Sequence, residues 1–201
     1  MFKRMSVLVG REGDTRAQFS QGWLRHGRFI ADLPGLRGYV QNHVEEDFAP
    51  PGTSFLHADG FVELRFDSPE AMARAFAGPA ARAMAQDEPN FLGHGSGYAL
   101  SDDTGLLDAE GGNKLIVAVG DGDPAPLQAG IMDLSPLALI RDDVIALIAK
   151  PGMAPQPAKT FFHVRYADAA MACEAAQKIA NMAKADHLQA AVFRVKTVRF
   201  A

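Results

Sequence analysis

The 201-residue chain has a single cysteine, Cys173, so no disulfide can form within it. That points to a reducing compartment, and a cytoplasmic location is expected. Basic residues are not in excess. Lys plus Arg is 20 and Asp plus Glu is 24, a formal charge of −4. A mildly acidic chain lacks the electrostatic footprint for nucleic acid or an anionic membrane surface. No stretch approaches 18 uninterrupted apolar residues, so no membrane span is expected. The apolar run in the opening MFKRMSVLVG is too short for the core of a signal peptide. The six histidines and one cysteine show no HxxxH or CxxC spacing, so no metal is expected. A GxSxG nucleophile elbow is absent too. The glycines around His94 (GHGSG) have no strand–GxGxxG–helix context and read as an exposed loop.

What is present is a regular alternation of strand and helix signals. Residues 2–9 read as a strand. Thr15 and Gln18 form a capping box opening a helix whose apolar stripe is Phe19, Trp23, Ile30 and Leu33. Pro34-Gly35 stops it, and residues 36–44 alternate as a strand. After a loop containing Pro50-Pro51-Gly52 come a strand at 60–67 and a helix opened by Ser68-Pro69, broken or kinked at Gly78-Pro79. A weak strand at 97–101 completes a βαββαβ order, the ferredoxin-like arrangement.

The pattern then repeats. RMSVLVG (4–10) aligns with KLIVAVG (114–120), FVELRF (61–66) with FFHVRY (161–166), and EAMA (70–73) with AAMA (169–172). A proline-containing loop precedes the third strand of each copy, APPG (49–52) and KPGMAPQP (150–157). Four matches in one order indicate an internal duplication. The expected units are residues 1–101 and 114–201, joined by a polar, glycine-rich linker at 102–113. The second copy has only DPAPLQAGIMDLSP (123–136) where the first has a full helix, enough for a turn or two, and residues 137–148 then fill the second strand position. The expected fold is α+β: two tandem ferredoxin-like units whose antiparallel sheets pack face to face as one α/β barrel.

Alternation puts Tyr39, Gln41 and His43 on one face of the second strand, and Phe61, Glu63 and Arg65 on one face of the third. His163 and Arg165 occupy the matching points of the second copy. Sheets facing each other would enclose these groups, making them walls of a barrel cavity that binds substrate. Glu63, Arg65, His163 and Arg165 read either as cross-strand ion pairs or as an anion clamp. Trp23 reads first as core and second as a ligand contact. His26 shares the apolar face of the first helix. It is either a histidine bonded to backbone in the core or a general acid/base at the cavity edge. Tyr39 or His43 would orient the substrate beside it.

The segments FSQGWLRHGRFIADLPGLRGYVQNHV (19–44), ADGFVELRFDSPEAMARAF (58–76) and NFL (90–92) resemble the EthD family, within the dimeric α/β-barrel superfamily. The resemblance covers residues 2 to about 100. The second half is a worn copy without counterparts of Trp23 and His26. What the resemblance implies is a small cofactor-independent enzyme of dehydratase, cyclase, isomerase or monooxygenase type, acting on a hydrophobic or aromatic carbonyl compound. The alternative is a non-catalytic metabolite-binding or accessory protein. It also implies association of two copies, and a histidine at the position of His26 recurs among relatives.

Overall fold

The structure is a computed structural model and describes residues 1–49, 55–101, 105–106, 112–149 and 153–200. The loop at Pro50-Pro51-Gly52, most of the expected 102–113 linker, and Lys150-Pro151-Gly152 lie outside the described residues.

The first half runs β1 (Phe2–Gly10), α1 (Arg16–Ala31), β2 (Leu36–Asp47), β3 (Gly60–Phe66), α2 (Pro69–Ala77), α3 (Pro79–Asp87) and β4 (Leu92–Leu100). The second runs β5 (Lys114–Val119), α4 (Ala125–Asp133), β6 (Ala138–Ile148), β7 (Thr160–Arg165), α5 (Ala169–Ala185) and β8 (Ala190–Arg199). Local chemistry sets the boundaries. Thr15 and Gln18 close a reciprocal capping box on α1, and Ser68 caps α2 with Pro69 in its first turn. Gly78-Pro79 divides α2 from α3, since proline cannot donate its backbone nitrogen to a preceding turn. Among the described residues, no helix is long and apolar enough to cross a membrane.

All strand pairings are antiparallel, and the eight strands close into one barrel in the order β1-β3-β2-β8-β5-β7-β6-β4. Each half contributes four strands, joined through β2–β8 and β4–β6. The chain therefore closes its own barrel. Met5, Phe61, Tyr98, Ile116, Phe161 and Phe193 pack together in the interior. Two further apolar clusters lie outside the barrel wall, one under α1–α3 and one under α4 and α5.

Two expectations need correction. β4 begins at Leu92, five residues before the expected strand, so His94 is in a strand and not a loop; its Nε2 lies 2.8 Å from the Ala154 carbonyl oxygen. The glycines that resembled a loop allow backbones to approach closely: a Cβ at Gly93 would lie 2.5 Å from the Gly10 oxygen. The alignment of β1 with β5 is also off by one residue. Lys3 pairs with Arg65 as Lys114 pairs with Arg165, and Met5 pairs with Glu63 as Ile116 pairs with His163. Lys3, not Arg4, is thus the counterpart of Lys114. A one-residue slip moves every side chain to the other face of the sheet. From this shared register we infer that residues 1–101 and 114–201 are two copies of one unit.

Candidate functional site

Helix α1 is laid on the outer face of β1–β3 by Phe19, Trp23, His26 and Ile30, all buried. Trp23 sits directly on β3, where a Cβ at Gly60 would come 2.3 Å from its Cζ3. Only glycine leaves room for the indole there. Between α1, α3 and the outer face of β1 and β3 lies a cavity of about 40 Å³. His26, Trp23, Phe91, Arg4 and Ser6 are among its lining residues.

His26 is 2% exposed, and its Nδ1 lies 2.9 Å from Oδ2 of Asp87 at the end of α3. Asn90 donates to the other carboxylate oxygen, Oδ1, at 3.0 Å. Burial opposes ionisation of Asp87, but the hydrogen bonds from His26 and Asn90 outweigh it, so its carboxyl sits below the usual range. An ionised Asp87 can only accept, so Nδ1–H of His26 donates, and Nε2 becomes the basic nitrogen of the ring. The ring also packs against Phe91, centroids 4.8 Å apart.

Tyr39, Gln41 and His43 do share one face, but it is the outer face beneath α1 and not the barrel interior. They do not line the cavity beside His26. Instead they form a hydrogen-bonded chain. Gln41 Nε2 donates to the Trp23 carbonyl oxygen at 2.9 Å and to the Tyr39 hydroxyl at 2.5 Å. Its Oε1 therefore accepts from Nε2–H of His43 at 2.9 Å, and Nδ1 of His43 accepts from Ser20 at 2.7 Å. Both ring nitrogens are engaged within the protein. Burial, assisted by Lys196, pushes the His43 pKa down to about 4, so the ring is neutral at physiological pH. Burial likewise raises the Tyr39 phenol.

Phe61, Glu63 and His163 face the barrel interior, as alternation placed them. Phe61 stacks edge-on against Phe193, centroids 5.2 Å apart, so the interior is packed and the expected barrel cavity is replaced by core and ion pairs. Glu63 sits 2.9 Å from Lys114 and 3.2 Å from Lys3, and Lys3 is 2.6 Å from Asp142. Asn42 donates to Glu63 Oε1 at 2.8 Å. His163 lies 3.0 Å from Asp142 and 3.5 Å from Glu63, out of line for a straight hydrogen bond to either. All of these groups are buried. Burial resists the charge on Glu63, but His163, Lys114 and Lys3 hold its pKa well below the ordinary range. For Lys3 the two carboxylates outweigh burial and raise the pKa; for Lys114 burial wins and lowers it. Burial also lowers the pKa of His163, against the pull of Glu63 and Asp142. Lys3 and Lys114 thus face Glu63 and Asp142. Glu63, Asp142 and His163 bring ligand-type atoms within 4.8 Å of one another, a convergence no short spacing announced. The lysines already supply the positive charge a metal would bring. Arg65 and Arg165 stand beyond this cluster, paired in register with Lys3 and Lys114, and are partly exposed.

Residues 11–95 match the EthD domain. The match lies within the first half of the chain. Two solved structures resemble the whole chain. One is an anthrone oxidase-like protein, with a TM-score of 0.59 and 11% identity over 98% of this chain and 92% of that one. The other is a monooxygenase-like protein from Fusobacterium nucleatum, with a TM-score of 0.56 and 9% identity over 99% and 96%. At such identities the likeness is one of fold. No curated protein matches the sequence. His26 and Asp87 lie within the matched residues, whereas Arg4, Ser6 and Leu8 of the cavity wall precede them. Asp87 and Arg4 escaped sequence reasoning. Asp87 is 61 residues from His26, and its only local signal was a position at the end of a helix that packs on α1. Arg4 was obscured because the misaligned repeat matched it to Lys114.

Proposed function

We propose that the protein performs acid/base chemistry on an enolisable, hydrophobic or aromatic carbonyl compound at the cavity between α1, α3 and the sheet. The observation that carries this reading is the buried His26–Asp87 pair in the cavity wall. A carboxylate on Nδ1 orients the imidazole and stabilises its protonated form, so Nε2 can take a proton from substrate and return it. Removal of a proton beside a carbonyl begins isomerisation, dehydration and cyclisation alike, and no cofactor is needed for that step. Trp23, Phe91 and Ile30 supply the apolar wall. In this reading the Tyr39–Gln41–His43 chain is a positioning device: it anchors α1 through the Trp23 carbonyl, one turn before His26.

The test is exchange of α-protons for deuterium in a panel of small aromatic and aliphatic ketones, followed by NMR in D₂O. The wild type is expected to catalyse exchange of at least one ketone. His26→Ala should lose about 10²- to 10⁴-fold of that rate, the usual share of a general base. An undiminished rate in His26→Ala would remove the reading. The alternative is a non-catalytic binding protein, favoured by the small volume of the cavity. It predicts ketone binding without exchange.

A further inference from the structure

Arg4 is the unexplained group in the cavity wall. It projects from the outer face of β1, opposite Leu64 of β3 and Ala99 of β4, and is 8% exposed. Its guanidinium carbon lies 5.0 Å from the centre of the Phe76 ring, which gives the cation a face to rest on but no acceptor. The buried Nε has no hydrogen-bond partner, and among the described residues no carboxylate is within ion-pair distance of the guanidinium. Glu88, also in the cavity wall, attracts it at longer range. Every other buried cation pair described above has its carboxylate in contact: Lys3 with Asp142, and Lys114 with Glu63. A guanidinium taken out of water without an anion is costly, because five donors lose their hydration. Burial accordingly lowers its pKa.

We propose that Arg4 is the anchor for a carboxylate carried by the ligand, so that the cavity takes an apolar carboxylic acid in its ionised form. This rests on the reading of the cavity as the site. The volume of about 40 Å³ suits the carboxylate end of such a compound, and the walls around it are set for an apolar body: Phe76, Met84, Leu92 and Leu64. Arginine offers two parallel N–H donors to a carboxylate, which fixes orientation as well as charge. His26 lines the same cavity, so a carboxylate held on Arg4 presents the neighbouring carbon atoms of the ligand to the acid/base pair.

The inference is tested by NMR titration of the full chain with 3-phenylpropionate and with its uncharged isostere, 3-phenylpropionamide. The acid is expected to bind at least about tenfold tighter than the amide, the value of a charge-assisted hydrogen bond. Amide signals of β1 and of the end of α3 should shift. Arg4→Met should remove the preference, and Arg4→Lys should keep part of it. Equal binding of acid and amide, no binding of the acid, or a preference surviving in Arg4→Met would each overturn the proposal. Should Arg4→Met fail to fold, the wild-type comparison and the location of the shifts decide on their own. His26→Ala separates the two readings. A carboxylate preference without His26-dependent exchange leaves Arg4 as an anchor and ends the acid/base reading. Exchange without the preference does the reverse.

Discussion

The outer layers of the two halves solve the same packing problem differently. In the first, the 16-residue α1 covers β2 along its length, and Tyr39, Gln41 and His43 are buried beneath it. In the second, α4 has nine residues, and the corresponding strand β6 carries Leu139, Arg141 and Asp143 at the matching register points. There Arg141 bonds Asp143 at 3.0 Å, with both side chains more than a third exposed, and reaches Gln128 of α4 at 3.1 Å. Farther along, Ile145 and Leu147 are 64% and 52% exposed. The contrast follows from solvent access. Where a helix excludes water, the polar groups form a neutral, mutually satisfied chain; where it is too short, an ion pair remains hydrated. The cavity and the His26–Asp87 pair exist only in the layer with the long helix. Under α5, the equivalent space is filled by Leu115, Val117, Phe162 and Ile179.

The comparison can be pressed hardest in the barrel, where Glu63 and His163 occupy matching register points of the two halves. Glu63→Ala should destabilise by about 3–5 kcal/mol in urea unfolding, because Lys3 and Lys114 lose their shared counter-charge while buried. His163→Ala leaves Glu63 with both lysines and should cost less, about 1–3 kcal/mol. Equal losses would mean that the cluster is not organised by Glu63.

The second test concerns pH. His43 has a pKa of about 4 in the folded chain against an ordinary 6.5. The unfolded chain therefore takes up the proton first. His43 contributes its full stabilisation above pH 6.5 and loses it as pH falls toward 4, by roughly 3 kcal/mol in all. Buried His163, also lowered, adds loss in the same direction. His43→Gln should flatten the fall in melting temperature between pH 6.5 and 4. An unchanged slope would show that the first outer layer does not hold the titrating group.

Smaller effects separate the layers further. Gln41→Leu breaks the links to Trp23, Tyr39 and His43 and should cost about 1–3 kcal/mol. Ile145→Ser, on the uncovered strand, should change stability by no more than about 0.5 kcal/mol. A large loss at Ile145 would mean that something covers β6 in solution, and sedimentation of the variant against the wild type would reveal a second copy.

Much of the fold was legible because its signals are local. The Thr15–Gln18 capping box, the Ser68-Pro69 start and the Gly78-Pro79 break all act within a turn of chain, and each lies where its chemistry placed it. Pro124, Pro126 and Pro136 likewise confine α4. The site was less legible. His26 was visible from the helical stripe, but Asp87 was not. The row Tyr39–Gln41–His43 was recognised as one face and given to the wrong side of the sheet.

By itself, then, the sequence determined the order of the elements and the residues that share a face. Periodicity and capping carry that information, since a strand alternates and a helix recurs whatever surrounds it. Only the tertiary structure decided which face of each strand turns inward. Both faces of β1, β3, β5 and β7 are largely buried, so polarity does not label the inner one. Closure of the barrel also decided which charges meet. Lys3, Glu63, Lys114, Asp142 and His163 come from five different strands, and their pairing depends on the order β1-β3-β2-β8-β5-β7-β6-β4, which no local signal encodes.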